Sequence, residues 1–275
     1  MKPRRLEALV LAVSSLSLEQ KTRMFEILER YYSHVSWDVF LKDLSDKSEV
    51  ILLRSQQDQI IQGFSTLKFF ETQVSGKTER AVFSGDTIIE KEFWGQTALQ
   101  KAFVSRLMKE KLKAPHRPLY WFLISKGYKT YLLMANNFLN YFPSQNGQSD
   151  LQAHRDAFSK TLFGKAYDPS TGLLQFGESA PRLKGEVAPI PSELLESQSK
   201  VAFFVSKNPT WQKGTELACV AELDFEMIMG FTLKTVRKTL GLRTQLDRKT
   251  RRPQPFLPLP SSCQSLESPQ PSHTA

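Results

Sequence analysis

Ile88-Ile89-Glu90-Lys91-Glu92-Phe93-Trp94-Gly95-Gln96-Thr97-Ala98 joins the end of an apolar strand to the start of a helix. Upstream, Thr78 to Ile89 reads as a strand that returns from Gln59–Val74 across a Ser75-Gly76-Lys77 turn, so the two predict an antiparallel hairpin. Downstream, Leu99, Ala102, Phe103, Leu107 and Met108 recur at helical spacing, with Lys101, Lys109 and Lys111 outside that stripe. Pro115 and Pro118 then break the chain. Leu119 to Ser125 is a nearly continuous apolar run, the pattern of a strand covered on both faces. Lys126-Gly127 turns into a further helix expected over Tyr128 to Tyr141.

Before the hairpin, Ser17 and Gln20 form a capping box that opens a helix carrying Met24, Phe25, Leu28, Tyr31 and Tyr32. A second short helix follows from Trp37, and Glu49 to Arg54 reads as a strand. The order predicted is helix, helix, three strands, helix, strand, helix: an α/β (α+β) fold with a mixed, mostly antiparallel sheet flanked by helices. Later, Leu151 to Phe163 reads as a helix, Val201 to Val205 and Leu217 to Leu223 as strands, and Phe225 to Leu240 as a final helix. From Arg243 onward, Pro, Ser and charged residues leave little to bury and predict a disordered tail. The division expected is a core over 1–145, a C-terminal α/β extension over 146–242 that either stands apart or completes the same domain, and a tail over 243–275.

Strand, loop, glycine and helix over Ile88 to Phe103, with the elements around them, resemble the GCN5-related N-acetyltransferase superfamily, in an uncharacterised bacterial branch. The resemblance covers about half the chain. It implies an acyl-CoA N-acyltransferase-like fold in which Trp94, Gly95, Gln96 and Thr97 bind the coenzyme A pyrophosphate. Backbone N–H groups and the helix dipole attract phosphate at such a site, and glycine admits a close approach. The loop departs from the family pattern. Glu92 stands where Gln or Arg is usual, and Thr97 where a second small residue is usual. Three donors or states therefore remain open: acyl-CoA, an acyl carrier protein, or a loop that no longer binds a donor.

Acyl transfer to an amine needs a polarised thioester carbonyl, a base for the amine and a proton for the departing thiolate. Asp86 interrupts an apolar strand beside Gly85, which suggests a bulge, and is the candidate base. Local satisfaction of backbone amides is the competing reading for it. The family's use of a tyrosine as acid points to Tyr131 or Tyr141, with Tyr131 nearer the strand end. Lys126 and Lys129 in Ser125–Tyr131 are candidates for an anionic group, or for an ordinary solvated turn. Nearby aromatic residues, Phe83, Phe93, Trp94 and Trp121 among them, either line an acyl channel or fill a core.

The 275 residues are 40% hydrophobic and 24% charged, an ordinary globular composition, with a net charge of +9 that favours anionic partners. Four histidines and two cysteines are scattered without zinc spacing, so no metal is expected, and Cys219 reads as a buried strand residue. Leu6 to Leu18 is too short to span a bilayer, and its basic start lacks a small-residue cleavage site. A cytoplasmic protein is expected, acting on a small-molecule amine, with an acyl carrier protein as the other partner to consider. Integral membrane insertion and nucleic-acid binding are not expected, since no nucleic-acid motif is found. The competing class is a non-catalytic binding protein with a degenerate acyltransferase fold and a basic surface.

Overall fold

The computed structural model describes residues 4–147, 149–177, 181–184 and 190–223. The helix expected at Phe225–Leu240 and the tail lie outside them. The chain runs β1 (Leu6–Ala12), α1 (Leu18–Tyr31), β2 (Tyr32–Ser33), α2 (Trp37–Ser45), β3 (Glu49–Ser55), β4 (Ile61–Val74) and β5 (Lys77–Ile89). It continues through α3 (Ala98–Lys113), β6 (Leu119–Ser125), α4 (Tyr128–Ala135), β7 (Tyr141–Phe142) and α5 (Leu151–Phe163). The last elements are β8 (Tyr167–Asp168), β9 (Leu173–Leu174), β10 (Arg182–Leu183), α6 (Ser192–Ser197), α7 (Ser199–Lys207) and β11 (Glu216–Glu222).

The main sheet has the order β1-β3-β4-β5-β6-β11-β9-β8, with β7 also on β11, and β10 pairs separately with β2. Every pairing is antiparallel except β5 with β6, which run parallel and are joined by the α3 crossover that such a pair requires. It is a mixed α/β fold on a mostly antiparallel open sheet. Strand alternation sends Ile51, Leu53, Val82, Trp121 and Cys219 to one face, under α3, α4 and α7. Val50, Leu52, Phe64 and Ile88 go to the other face, where α1 and α2 cover them. Further along that second face, α5 covers Ala81, Phe83, Phe122, Ala218 and Val220. The α1–α2 and α5 clusters are separate, and the sheet between them holds the cleft.

Three elements differ from expectation. Leu6–Ala12 is an edge strand on β3, because Leu6, Ala8 and Val10 alternate with Glu7, Leu9 and Leu11 along a strand with one neighbour. The helix after β6 stops at Ala135, and Tyr141 belongs to β7. Val201–Val205 is helical, not a strand: Val201 and Phe204, three residues apart, are fully buried, which places them on one face of α7. Five apolar residues in a row fit either conformation, and length does not arbitrate between them.

Candidate active site

The site originates in a bulge. Ser65 opposes Thr87 and Leu67 opposes Ser84, so Gly85 and Asp86 together face the single residue Thr66. A Cβ on Gly85 would lie 2.5 Å from Thr66 Oγ1, so glycine is needed for this close approach. The bulge turns β5 away from β6. Pairing between these parallel strands ends at Ser84 with Leu123, while β5 runs on to Ile89 held by β4 alone. The two strands part beyond Ser84, where the Trp121 indole N–H donates to Ser84 Oγ at 2.8 Å.

The gap has backbone donors. Glu90 N–H donates to the Gln62 carbonyl at 2.9 Å. Alternation along an antiparallel ladder then turns the amides of Thr87 and Ile89 away from β4, toward the gap. A cavity of about 1500 Å³ passes through it, lined on one side by Leu99, Phe103 and Leu133 of α3 and α4. On the other side, Leu28, Val35 and Phe40 from the α1–α2 region line it.

Asp86 opens onto this cavity on the α1–α2 side. Burial raises its carboxyl pKa, as does the negative charge of Asp43, while Lys126 and Lys47 oppose the shift. Those neighbours are already engaged. Lys47 Nζ binds Asp43 Oδ1 at 2.6 Å, and Lys126 Nζ lies 3.3 Å from Glu216 Oε1 and 2.9 Å from the Pro181 carbonyl. Glu216 is raised by burial against the pull of Lys126. Tyr32, pushed up by burial and then by Asp86 and Glu216, completes the group, with Lys126 Nζ 5.2 Å from its ring centre. The sequence marked Asp86. Tyr32, Asp43, Lys47 and Glu216 carried no signal, because long-range folding assembles them.

The loop after β5 is clamped to α1. The Glu90 carboxylate accepts from Arg30 Nη1 at 2.6 Å, Arg23 Nη2 at 3.3 Å and the Tyr31 hydroxyl at 2.9 Å. The same hydroxyl accepts the Lys91 amide at 2.9 Å, and its pKa is pushed up to about 12 by burial and by the Glu90 bond. Trp94 lines the cavity, donates its indole N–H to the Ile89 carbonyl at 2.7 Å, and carries Lys129 Nζ 4.6 Å above its ring. Gly95 has φ of 85°, a left-handed conformation that relaxes the chain into α3. Gln96 is committed elsewhere: its Oε1 accepts from Leu6 N–H and its Nε2 donates to the Arg4 carbonyl, both at 2.9 Å, tying the loop to β1. Thr97 caps α3 with no side-chain bond to the helix, and Glu92 is exposed. Of the four candidate loop residues, only Trp94 lines the cavity.

Tyr131 is placed differently from expectation. It is fully buried between α4 and α7, its hydroxyl donates to the Pro143 carbonyl at 3.1 Å, and it does not line the cavity. The two core-facing helices enclose it because it shares an α4 face with Tyr128, Met134 and Ala135. Its neighbour Tyr141 does line the cavity, protonated more firmly by burial. The two lysines of Ser125–Tyr131 separate, Lys126 to Glu216 and Lys129 to Trp94. Burial pushes the Cys219 thiol up, as expected of a core residue. Among the described residues no cluster of three His, Cys, Asp or Glu side chains is arranged to hold a metal, and no helix is long and apolar enough to cross a membrane.

The chain is thus a mixed, mostly antiparallel sheet with helices on both faces and one parallel pair opened at its end. Solved structures similar to this chain include a conserved protein of Enterococcus faecalis described as a probable N-acyltransferase, at 15% identity and a TM-score of 0.37, covering 50% of this chain and 33% of that one. The chain thus spans a third of that relative's length. The NatC complex bound to Gag peptide and CoA is similar at 15% identity and a TM-score of 0.37, over 49% of this chain and 86% of its own. A GNAT family N-acetyltransferase of Escherichia coli in complex with CoA is similar at 13% identity and a TM-score of 0.35, over 55% and 73%. No protein-family model and no curated relative matches the sequence.

Proposed function

We propose that the protein transfers an acyl group from a CoA or carrier-protein thioester to an amine. The observation that carries this reading is the opened β5–β6 pair, which connects a slot between α3 and α4 with an acidic group on the opposite face. The thioester enters along α3, its phosphates against the first amides of that helix and Lys129. Its carbonyl oxygen lies against the Thr87 and Ile89 amides, which stabilise the oxyanion as it forms. The amine approaches from the α1–α2 face. Its nitrogen bonds to the carbonyl carbon while Asp86 takes its proton, directly or through one water. The C–S bond then breaks, and the thiolate takes a proton from Tyr141, which recovers one from solvent as Asp86 releases its own. Tyr131, packed behind Tyr141, positions it. The products are an amide and a free thiol.

The raised pKa of Asp86 suits a base working near neutrality, since a stronger base removes an amine proton more readily. One observation favours the second reading, a non-catalytic binder: Trp94 occupies the Ile89 carbonyl at the mouth of the gap. Thermal melting with acetyl-CoA, a long-chain acyl-CoA and free CoA tests both. Saturable stabilisation, followed by release of thiol in the presence of an amine, is expected. Binding without thiol release across a panel of amines supports the binder, and no stabilisation by any thioester, CoA or acyl carrier protein, defeats the proposal.

A further inference from the structure

We infer that the cavity takes an alkyl chain of about ten carbons or more, held in the arm between α1, α2 and the end of β5. This rests on the proposed function in so far as that chain is delivered by donor or acceptor. The cavity, at about 1500 Å³, exceeds the roughly 300–1000 Å³ common for small-molecule sites. Asp43, Lys47, Lys126 and Glu216 gather with Asp86, Lys129 and Lys200 line the cavity elsewhere, and Leu28, Val35, Val39, Phe40 and Ile88 wall the α1–α2 arm together with Tyr31, His34 and Ser36. An acetyl group and a small amine leave that arm unfilled. Among the described residues, seven large hydrophobic side chains are exposed, and three of these, Val39, Leu139 and Phe176, line this one cavity. Apolar exposure so concentrated at the rim of a cavity marks a place where an apolar ligand is covered.

An alkyl chain fits along Leu28, Val35, Val39 and Phe40, which present only hydrocarbon, with Tyr31, His34 and Ser36 beside them. Burying each methylene stabilises a complex enough to raise affinity about fourfold. The chain comes either from the thioester or from the amine, and the experiment separates these sources. Affinities of the full chain are measured for acetyl-, octanoyl-, dodecanoyl- and hexadecanoyl-CoA, and, with acetyl-CoA bound, for ethylamine, octylamine and dodecylamine. Free dodecanoate is a third arm, with every amphiphile kept below its micelle concentration. At least a 100-fold gain between the two-carbon and twelve-carbon members of one series is expected, and the series that shows it identifies the source. Val39→Glu, at an exposed position where the substitution leaves folding intact, should reduce that gain at least tenfold. Binding of acetyl-CoA with no gain along either series overturns the alkyl arm and leaves the acyltransferase reading standing. Binding of dodecanoate with no binding of any thioester does the reverse.

Discussion

At Asp86 one physical cause sets both chemistry and stability. Burial and the charge of Asp43 raise its pKa in the folded protein. A carboxyl that binds its proton more tightly folded than unfolded makes stability fall as pH rises from the unfolded value through the folded one. At neutral pH, above the unfolded value, the buried carboxyl therefore costs stability that Asn would not. Asp86→Asn is expected to raise the melting temperature at pH 7, with the difference vanishing below the ordinary carboxylate range. It should also lower kcat by about 100-fold or more and remove the acidic limb of the pH–rate profile. An unchanged profile would assign the base elsewhere. Tyr141→Phe tests the acid: kcat for acyl groups on a poor thiol leaving group is expected to fall about tenfold or more, while a nitrothiophenol ester, which leaves without a proton, should be spared. Equal loss on both esters would remove Tyr141 from that role. Asp86 was legible as a candidate because a carboxylate beside glycine in an apolar strand stands out, and the structure places it on the cavity. Where Tyr131 would point was not legible, since position along a helix does not say which of two faces meets a cavity, and it lies buried off the lining.

The loop between β5 and α3 is held by side chains that touch no ligand. Glu90 is the clearest case, with Arg23, Arg30 and Tyr31 converging on one buried carboxylate. Glu90→Gln removes the charge these donors face and is expected to cost about 1–3 kcal/mol in denaturant unfolding. Donor affinity should fall with it, because the Lys91 amide and the loop behind it lose their anchor; stability lost with affinity retained would show that the clamp serves the fold alone. Gly95→Val forces a branched residue to φ of 85° and is expected to abolish thioester binding, with a stability loss of about 1–2 kcal/mol. Binding at wild-type affinity would rule out the loop as the phosphate site. The helices α1, α3 and α5 were legible because capping and 3.6-residue periodicity are local. Leu6–Ala12 was not, because an edge strand needs a partner that arrives about forty residues later, at β3. The parting of β5 from β6 was half legible: Gly85 announces a bulge, but which neighbour the strand leaves is a property of the assembled sheet.

At the scale of the molecule, the sheet does not end within residues 1–145. β11 pairs with β6 along Leu217–Glu222, on the edge that β5 leaves free. The cluster beneath α3 and α4 takes Val201, Phe204, Leu217 and Cys219 from this later region, and the cluster on the other face takes Phe158, Ala218 and Val220. A fragment ending at residue 145 would keep Phe103 and Phe138 over Trp121 but strip α5 from the other face of β6, exposing Phe122, and would leave an apolar strand at an open edge. Even the candidate site would be incomplete, since Glu216, the partner of Lys126, sits at the start of β11. The expectation is that residues 1–145 alone do not fold: far-ultraviolet circular dichroism should show no cooperative urea transition, whereas residues 1–223 should unfold in one step. A cooperative transition in the shorter fragment would make the later region a separable addition. The acidic face of the gap would then depend on a part of the chain that the rest does not need for folding.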